Sequence, residues 1–151
     1  MQTNKQDVLT VAKYLLYRGV DSPLRVQKLL FFLRYEEIQN EELEDSYFDD
    51  NFNFEAWIYG PVNRRSYNAL QYYFNREDEK ENFVLSDEEA AMVDRKYGQY
   101  FLKWNQFSSD QLIEIAQKNL GWIKARGVLY PDDLCSEKLD EEARTFTEFS
   151  E

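Results

Sequence analysis

The residues able to do chemistry in this chain are carboxylates and one thiol, because its 151 residues include 29 Asp and Glu, one Cys and no His. The lack of histidine excludes Ser-His-Asp triads, Cys-His pairs and histidine-ligated zinc sites. Cys135 lies among Asp132, Asp133 and Glu137, whose negative charge disfavours the reactive thiolate. We therefore assign Cys135 no catalytic role.

Paired carboxylates are the catalytic hypothesis that this composition leaves open. Such pairs meet in space rather than along the chain, so a carboxylate-dependent hydrolase or nuclease stays an alternative. The five glycines form no phosphate-binding loop. Nine acidic residues and no Lys or Arg lie between Glu36 and Glu55, a charge run typical of a solvated loop. We predict that the chain uses no cofactor and no metal.

Charge and composition indicate which kinds of partner fit this chain. The net charge of −11 opposes non-specific binding to nucleic acid or to an anionic membrane. No apolar stretch approaches the roughly 18 residues of a membrane span, and the N-terminus has no signal-peptide core. We predict a cytoplasmic protein with a neutral or basic protein partner, and self-association is left open.

Apolar periodicity and capping residues predict the helices that must position any site. A second helix, apolar over much of its surface, is expected to be central. The capping boxes that begin at Ser86 and Ser108 each predict a helix start. The predicted helices span residues of about 5–18, 23–38, 62–74, 87–104 and 109–119.

The stretch from 54 to 67 combines an aromatic extended segment, a Gly-Pro break and a helix start. Gly60 and Pro61 are predicted to end the segment and to begin a helix at about Val62. Gly121 and Trp122 are predicted to form a turn. The fold class is therefore mainly α, one globular domain of about five to six helices with a short extended segment near 54–59.

The last part of the chain is predicted to be an acidic extension. Residues 131–151 contain eight acidic and two basic residues, so we divide the chain into a helical domain over 1–130 and this extension. A weak apolar stripe predicts a terminal helix over about 136–149.

Aromatic side chains are the remaining candidates for function, because Tyr and Trp are favoured as interface anchors. Trp57 and Trp122 are more readily explained as core residues. Lys28, on the otherwise apolar second helix, is predicted to extend its ammonium to the surface.

Three segments of the chain, taken together, resemble the Panacea domain. These are residues 25–31 (Arg-Val-Gln-Lys-Leu-Leu-Phe), residues 55–62 (Glu-Ala-Trp-Ile-Tyr-Gly-Pro-Val) with Tyr67, and Trp122 with Ala125 and Arg126. The resemblance covers about 8–127. The family often has a histidine five residues before the tryptophan and a proline directly before it, and here those positions hold Gln117 and Gly121.

The resemblance implies an antitoxin that binds a co-encoded toxin or delivers it to a protease, since this family, also labelled phage-associated protein, includes proteolytic-adaptor antitoxins. It implies a binding module rather than an enzyme. A phage-associated scaffold or oligomeric protein without a toxin is a further alternative. The predicted partner-binding residues surround the Gly60-Pro61 break: Gln27, Lys28, Trp57, Tyr59, Gly60, Pro61, Val62 and Tyr67.

Overall fold

The computed structural model describes residues 7–48, 53–75, 83–129 and 145–146. That part of the chain forms six helices and a small three-stranded sheet, so the prediction of a mainly helical fold is confirmed. The helices are α1 (Val8–Tyr17), α2 (Pro23–Gln39), α3 (Arg64–Asn75), α4 (Asp87–Asn105), α5 (Ser109–Ala116) and α6 (Leu120–Leu129). The strands are β1 (Phe54–Trp57), β2 (Gly60–Val62) and β3 (Thr145–Phe146).

The second helix, α2, is the centre of the molecule, as its apolar surface predicts. It packs against α1, α3, α4, α5 and β2. Ser22 caps its N-terminus by accepting a hydrogen bond from the backbone of Arg25, and Pro23 occupies the first turn. The run from Val26 to Leu33 is buried throughout, because neighbours cover α2 on nearly every side.

The three strands form an antiparallel sheet in the order β2-β1-β3. Pro61 pairs with Ala56, so the prediction that Pro61 and Val62 begin a helix is wrong. Proline is accepted in this strand because β2 lies at the sheet edge. The helix begins two residues later, where Asn63 accepts a hydrogen bond from the backbone of Ser66 over 2.9 Å.

Capping determines where the next helices begin. Ser86 and Ser108 each form the predicted capping box, with Glu89 and Gln111 as the reciprocal partners. The predicted turn at Gly121 and Trp122 is wrong, because both residues lie inside α6. Asn119 starts this helix by accepting a hydrogen bond from the backbone of Trp122 over 3.2 Å, a cap that ends α5 and starts α6 with little chain between them.

The C-terminal part of the chain contributes a strand to the sheet. Phe146 pairs with Phe54, and Thr145 pairs with Glu55, so the predicted terminal helix is wrong at these two positions. The rest of that helix, most of the acidic extension and Cys135 lie outside the described residues.

Two acidic residues near the end of α2 are buried, which corrects the prediction of a wholly solvated acidic stretch. Glu36 accepts hydrogen bonds from Lys103 Nζ over 2.6 Å and Trp104 Nε1 over 2.8 Å. Glu37, whose side chain is 1% exposed, has four donors around it. They are Arg34 (2.9 Å), Ser46 (2.7 Å), Lys96 (3.1 Å) and the Tyr97 hydroxyl (2.8 Å). The two carboxylates therefore join α2 to α4.

Two tyrosine hydroxyls in this core are held protonated. Burial and the neighbouring Glu37 charge raise the pKa of Tyr97 well above its usual range. Burial and the hydrogen bond to Asp94 raise the pKa of Tyr14 to about 12.

Within the described ranges no helix combines the length and apolar character needed to cross a membrane.

Candidate functional site

The segment from Trp57 to Val62, here called the hairpin corner, joins β1 to β2 through a two-residue turn. Trp57 pairs with Gly60, and Ile58 and Tyr59 form the turn between them. Gly60 has φ +109°, which other residues rarely adopt. Main-chain carbonyls at such a corner need hydrogen-bond donors wherever they are shielded from water.

Lys28 donates a hydrogen bond to one of these carbonyls from the interior of the protein. Its Nζ donates to the carbonyl oxygen of Pro61 over 2.6 Å, and the residue is fully buried. The prediction that Lys28 reaches the surface is therefore wrong. Its stem runs beneath Gly60, because a Cβ placed on that glycine would lie 3.2 Å from Lys28 Cε. A Cβ at position 60 would therefore require the lysine stem to shift by a few tenths of an ångström.

Gln27 holds the junction between the hairpin corner and α3. Its Oε1 accepts from the backbone N–H of Asn63 over 2.8 Å, and its Nε2 donates to Ser66 Oγ over 2.9 Å. Gln27 is buried, as are Asn63 and Ser66. One carboxamide therefore fixes the point at which the strand becomes a helix.

Two further side chains, one after α5 and one in α6, complete the support. Gln117 Nε2 donates to the carbonyl oxygen of Ile58 over 2.7 Å, and Trp122 Nε1 donates to that of Trp57 over 2.7 Å. Sequence reasoning assigned neither residue to the site, although Trp122 was part of the resemblance and Gln117 occupied the family's histidine position. Their positions in the Panacea motif are the sequence feature that could have assigned both residues to the site.

The structure divides the predicted partner-binding residues into an inner and an outer set. The inner set is buried: Gln27, Lys28, Gly60, Pro61 and Val62. The outer set reaches the surface: Trp57, Tyr59 and Tyr67. The structure places the predicted residues together around the corner, but a partner that docks there would contact the outer set first.

The outer set and Arg64 form what we call the aromatic surface. The rings of Trp57 and Tyr67 meet edge to face, with centroids 4.9 Å apart. The guanidinium of Arg64 lies over the Trp57 ring at 5.0 Å, and Tyr59 at the turn is 52% exposed. Aromatic rings held by neighbours lose little entropy on binding.

Glu55 anchors Arg64 to this surface. Its carboxylate accepts from Arg64 Nε over 2.8 Å, from Arg64 Nη2 over 2.7 Å and from Trp57 Nε1 over 2.9 Å. Burial acts to raise the pKa of Glu55, but the hydrogen bonds from Arg64 and Trp57 and the Arg64 charge outweigh burial and lower it. Glu55 is therefore a fixed anion that orients a cation and an indole.

The chemistry available at the corner depends on which of its polar groups are engaged within the fold. Its polar groups are already used: the carboxylate of Glu55 holds Arg64, and the amines and amides beneath hold carbonyls. Among the described residues no three or more His, Cys, Asp or Glu side chains are placed to hold a metal ion. What the corner presents outward is aromatic rings, two tyrosine hydroxyls and one guanidinium.

Comparison of the chain with protein-family models, with curated proteins and with solved structures gave no significant match.

Proposed function

We propose that this protein is an antitoxin-type binding module that neutralises a co-encoded toxin. It would act by binding the toxin directly or by delivering it to a protease, and it would use the aromatic surface of Trp57, Tyr59, Tyr67 and Arg64. The resemblance to the Panacea domain suggests this function. The supporting structural observation is an exposed tyrosine on a hairpin that buried side chains hold from the inside.

The support for the hairpin explains why this surface suits binding. Three side chains donate to three different carbonyls of the corner: Lys28 in α2, Gln117 at the end of α5 and Trp122 in α6. A turn held in this way loses little conformational entropy when a partner docks. Tyr and Arg, the types that reach solvent here, are among those most enriched at interface hot spots.

Charge narrows the class of partner. The net charge of −11 would attract a basic protein and speed its encounter. Nucleic acid and anionic membranes are disfavoured by the same charge, so a protein in the cytoplasm is the proposed target.

The test is co-expression of the chain with the products of its neighbouring genes, scored first by growth rescue and then by co-purification. Two variants sharpen it. Tyr59→Ala should weaken the complex by about 30-fold, corresponding to roughly 2 kcal/mol for a hot-spot residue. Tyr17→Ala is the matched control, because Tyr17 is 50% exposed but lies at the end of α1. It should leave rescue unchanged.

The outcomes separate the mechanisms. Rescue with a stable complex supports neutralisation by direct binding, whereas rescue with loss of the toxin protein supports delivery to a protease. A toxin that stays fully active at saturating concentrations of this protein would reject the proposal. Equal rescue by Tyr59→Ala, with both variants folded by circular dichroism, would move the contact away from the aromatic surface.

A further inference from the structure

A pocket of about 220 Å³ lies beside the hairpin corner, between α2, α4 and the segment that joins α5 to α6. The same segment holds the corner, because Gln117 donates to Ile58 and the next two residues line the pocket. Its lining consists of Phe31, Phe32, Tyr35, Trp104, Ile115, Lys118 and Asn119. None of the functions discussed above uses it.

Aromatic rings that hold one another in place form the walls of this pocket. The rings of Phe32 and Trp104 stack with centroids 3.9 Å apart and an interplanar angle of 12°. Tyr35 meets Trp104 edge to face at 6.4 Å. Such walls favour a bulky apolar group. At about 220 Å³ the pocket is smaller than the roughly 300 Å³ of small-molecule sites, which suits a single side chain.

Asn119 gives the pocket a polar end. The residue is 6% exposed, and its Oδ1 is used by the backbone of Trp122. Its Nδ2 has no hydrogen-bond acceptor within the described residues. A buried amide donor without an acceptor is unfavourable, so an acceptor brought by a ligand would remove a penalty that the unbound protein carries.

The charge around Asn119 favours an anionic acceptor. Asn119 caps α6, so the pocket lies at the positive end of that helix dipole. Lys118 adds a cation at the rim. Among the described residues it forms one ion pair, a 3.9 Å contact with Glu114 in which both side chains are 74% exposed, and such a pair holds its members weakly. Around the pocket the side-chain charges pair off, Glu36 with Lys103 at Trp104 and Glu114 with Lys118, so the α6 dipole and the weakly held Lys118 supply the attraction for an anion.

We propose that this pocket binds the C-terminal residue of a partner protein chain, one with a bulky apolar side chain. The side chain lies between the aromatic walls, and the terminal carboxylate accepts from Asn119 Nδ2 while Lys118 neutralises it. This inference rests on the proposed protein-binding function and adds a second contact beside the aromatic surface.

The probes that test it are N-acetyl-phenylalanine and N-acetyl-leucine, each with its carboxamide as the uncharged match. Titration into the full chain is followed by NMR at the Trp104 indole N–H and the Asn119 side-chain amide. Both acids should bind saturably with Kd on the order of 1 mM. The carboxamides should bind about tenfold more weakly, because they lose the charge-assisted hydrogen bond.

A matched pair of variants tests the polar end of the pocket. Asn119→Asp keeps an oxygen to cap α6, since Asp and Asn are equivalent caps, but it removes Nδ2 and adds a negative charge. It should weaken acid binding by at least about tenfold. Asn68→Asp makes the same change at an exposed position of α3 and should bind like the wild type. Thermal melts confirm that both variants fold.

The results are decisive in each direction. Acids that shift neither resonance, or that bind wild type and Asn119→Asp equally, would overturn the proposal. So would a wild-type dimer that the probes dissociate, because a second copy would then be the occupant. Probe binding needs no toxin, so binding without growth rescue rejects only the antitoxin function, and rescue without probe binding rejects only the pocket assignment.

Discussion

The polar side chains beneath the hairpin corner show how single residues determine its shape. Gln27 and Lys28 are neighbours on α2, and Gln117 follows α5; each is a donor to the corner or to its junction with α3. Main-chain carbonyls in a tight turn need such donors when they are shielded from water. Lys28 is therefore buried because its ammonium supplies one of these hydrogen bonds.

Acid pH should weaken the fold through Glu55. Its pKa in the folded protein lies below the ordinary value of 4.5, so its carboxylate stabilises the fold above that pH. The contribution decreases as the pH falls through the folded pKa. Glu55→Gln should therefore be less stable than wild type at pH 7, by less than about 1 kcal/mol because Arg64 is partly exposed. The difference should shrink on acidification.

Urea unfolding of both proteins from pH 7 to pH 3 measures this difference. The double variant Glu55→Gln, Arg64→Gln is the control, since the ion pair can be lost only once. It should be about as stable as Glu55→Gln alone. A difference between wild type and Glu55→Gln that grows towards low pH would contradict the assigned direction of the pKa.

At the scale of elements, the hairpin of β1 and β2 depends on one glycine. Gly60 combines a positive φ with close contact to Lys28 and Ala116. Capping groups act in the same local way on the helices, since Ser86 and Ser108 begin α4 and α5 where the sequence predicts. These devices work over three or four residues, which makes them readable from sequence.

Gly60→Ala should destabilise the protein more than Gly19→Ala. Both glycines have positive φ, +109° and +94°, so each substitution carries backbone strain of about 1–3 kcal/mol. Only the Cβ at position 60 also meets a neighbour closely, 3.2 Å from Lys28 Cε, whereas nothing lies within 4 Å at position 19. Chemical unfolding of the two variants measures the difference. Equal losses of stability would show that Lys28 moves away from the new Cβ without destabilising the fold.

At the scale of the whole molecule, α2 joins the other elements through its apolar surface and its two buried carboxylates. Glu36 and Glu37 reach α4 through Lys103, Trp104 and Tyr97. The aromatic pocket lies between the same two helices. The fold and the proposed second contact therefore depend on how α2 packs against α4.

Glu37→Ala should cost about 3–5 kcal/mol, because it leaves buried donors and cations without their acceptor. Glu114→Ala is the contrasting surface variant. Glu114 is 74% exposed and lies 3.9 Å from Lys118, so its loss should change stability by less than about 0.5 kcal/mol. Denaturant midpoints compare the two. Similar effects would mean that the carboxylate of Glu37 adds little to the packing of α2 on α4.

The sequence by itself determined the helical class, the central position of α2 and the starts of α4 and α5, because periodicity and capping act between near neighbours. It also brought the residues of the hairpin corner together through the resemblance. It did not predict that Pro61 lies in a strand or that Trp122 lies in a helix.

Only the tertiary structure decided which side chains are buried and what they bind. Glu37 was expected in solvent and Lys28 was expected to reach it, yet both are interior because partners distant in sequence supply their hydrogen bonds. The pocket beside Asn119 likewise requires α2, α4 and the α5–α6 junction at one point. The type of a residue sets the desolvation penalty of burying it. Only the packed fold determines whether a hydrogen-bond partner offsets that penalty.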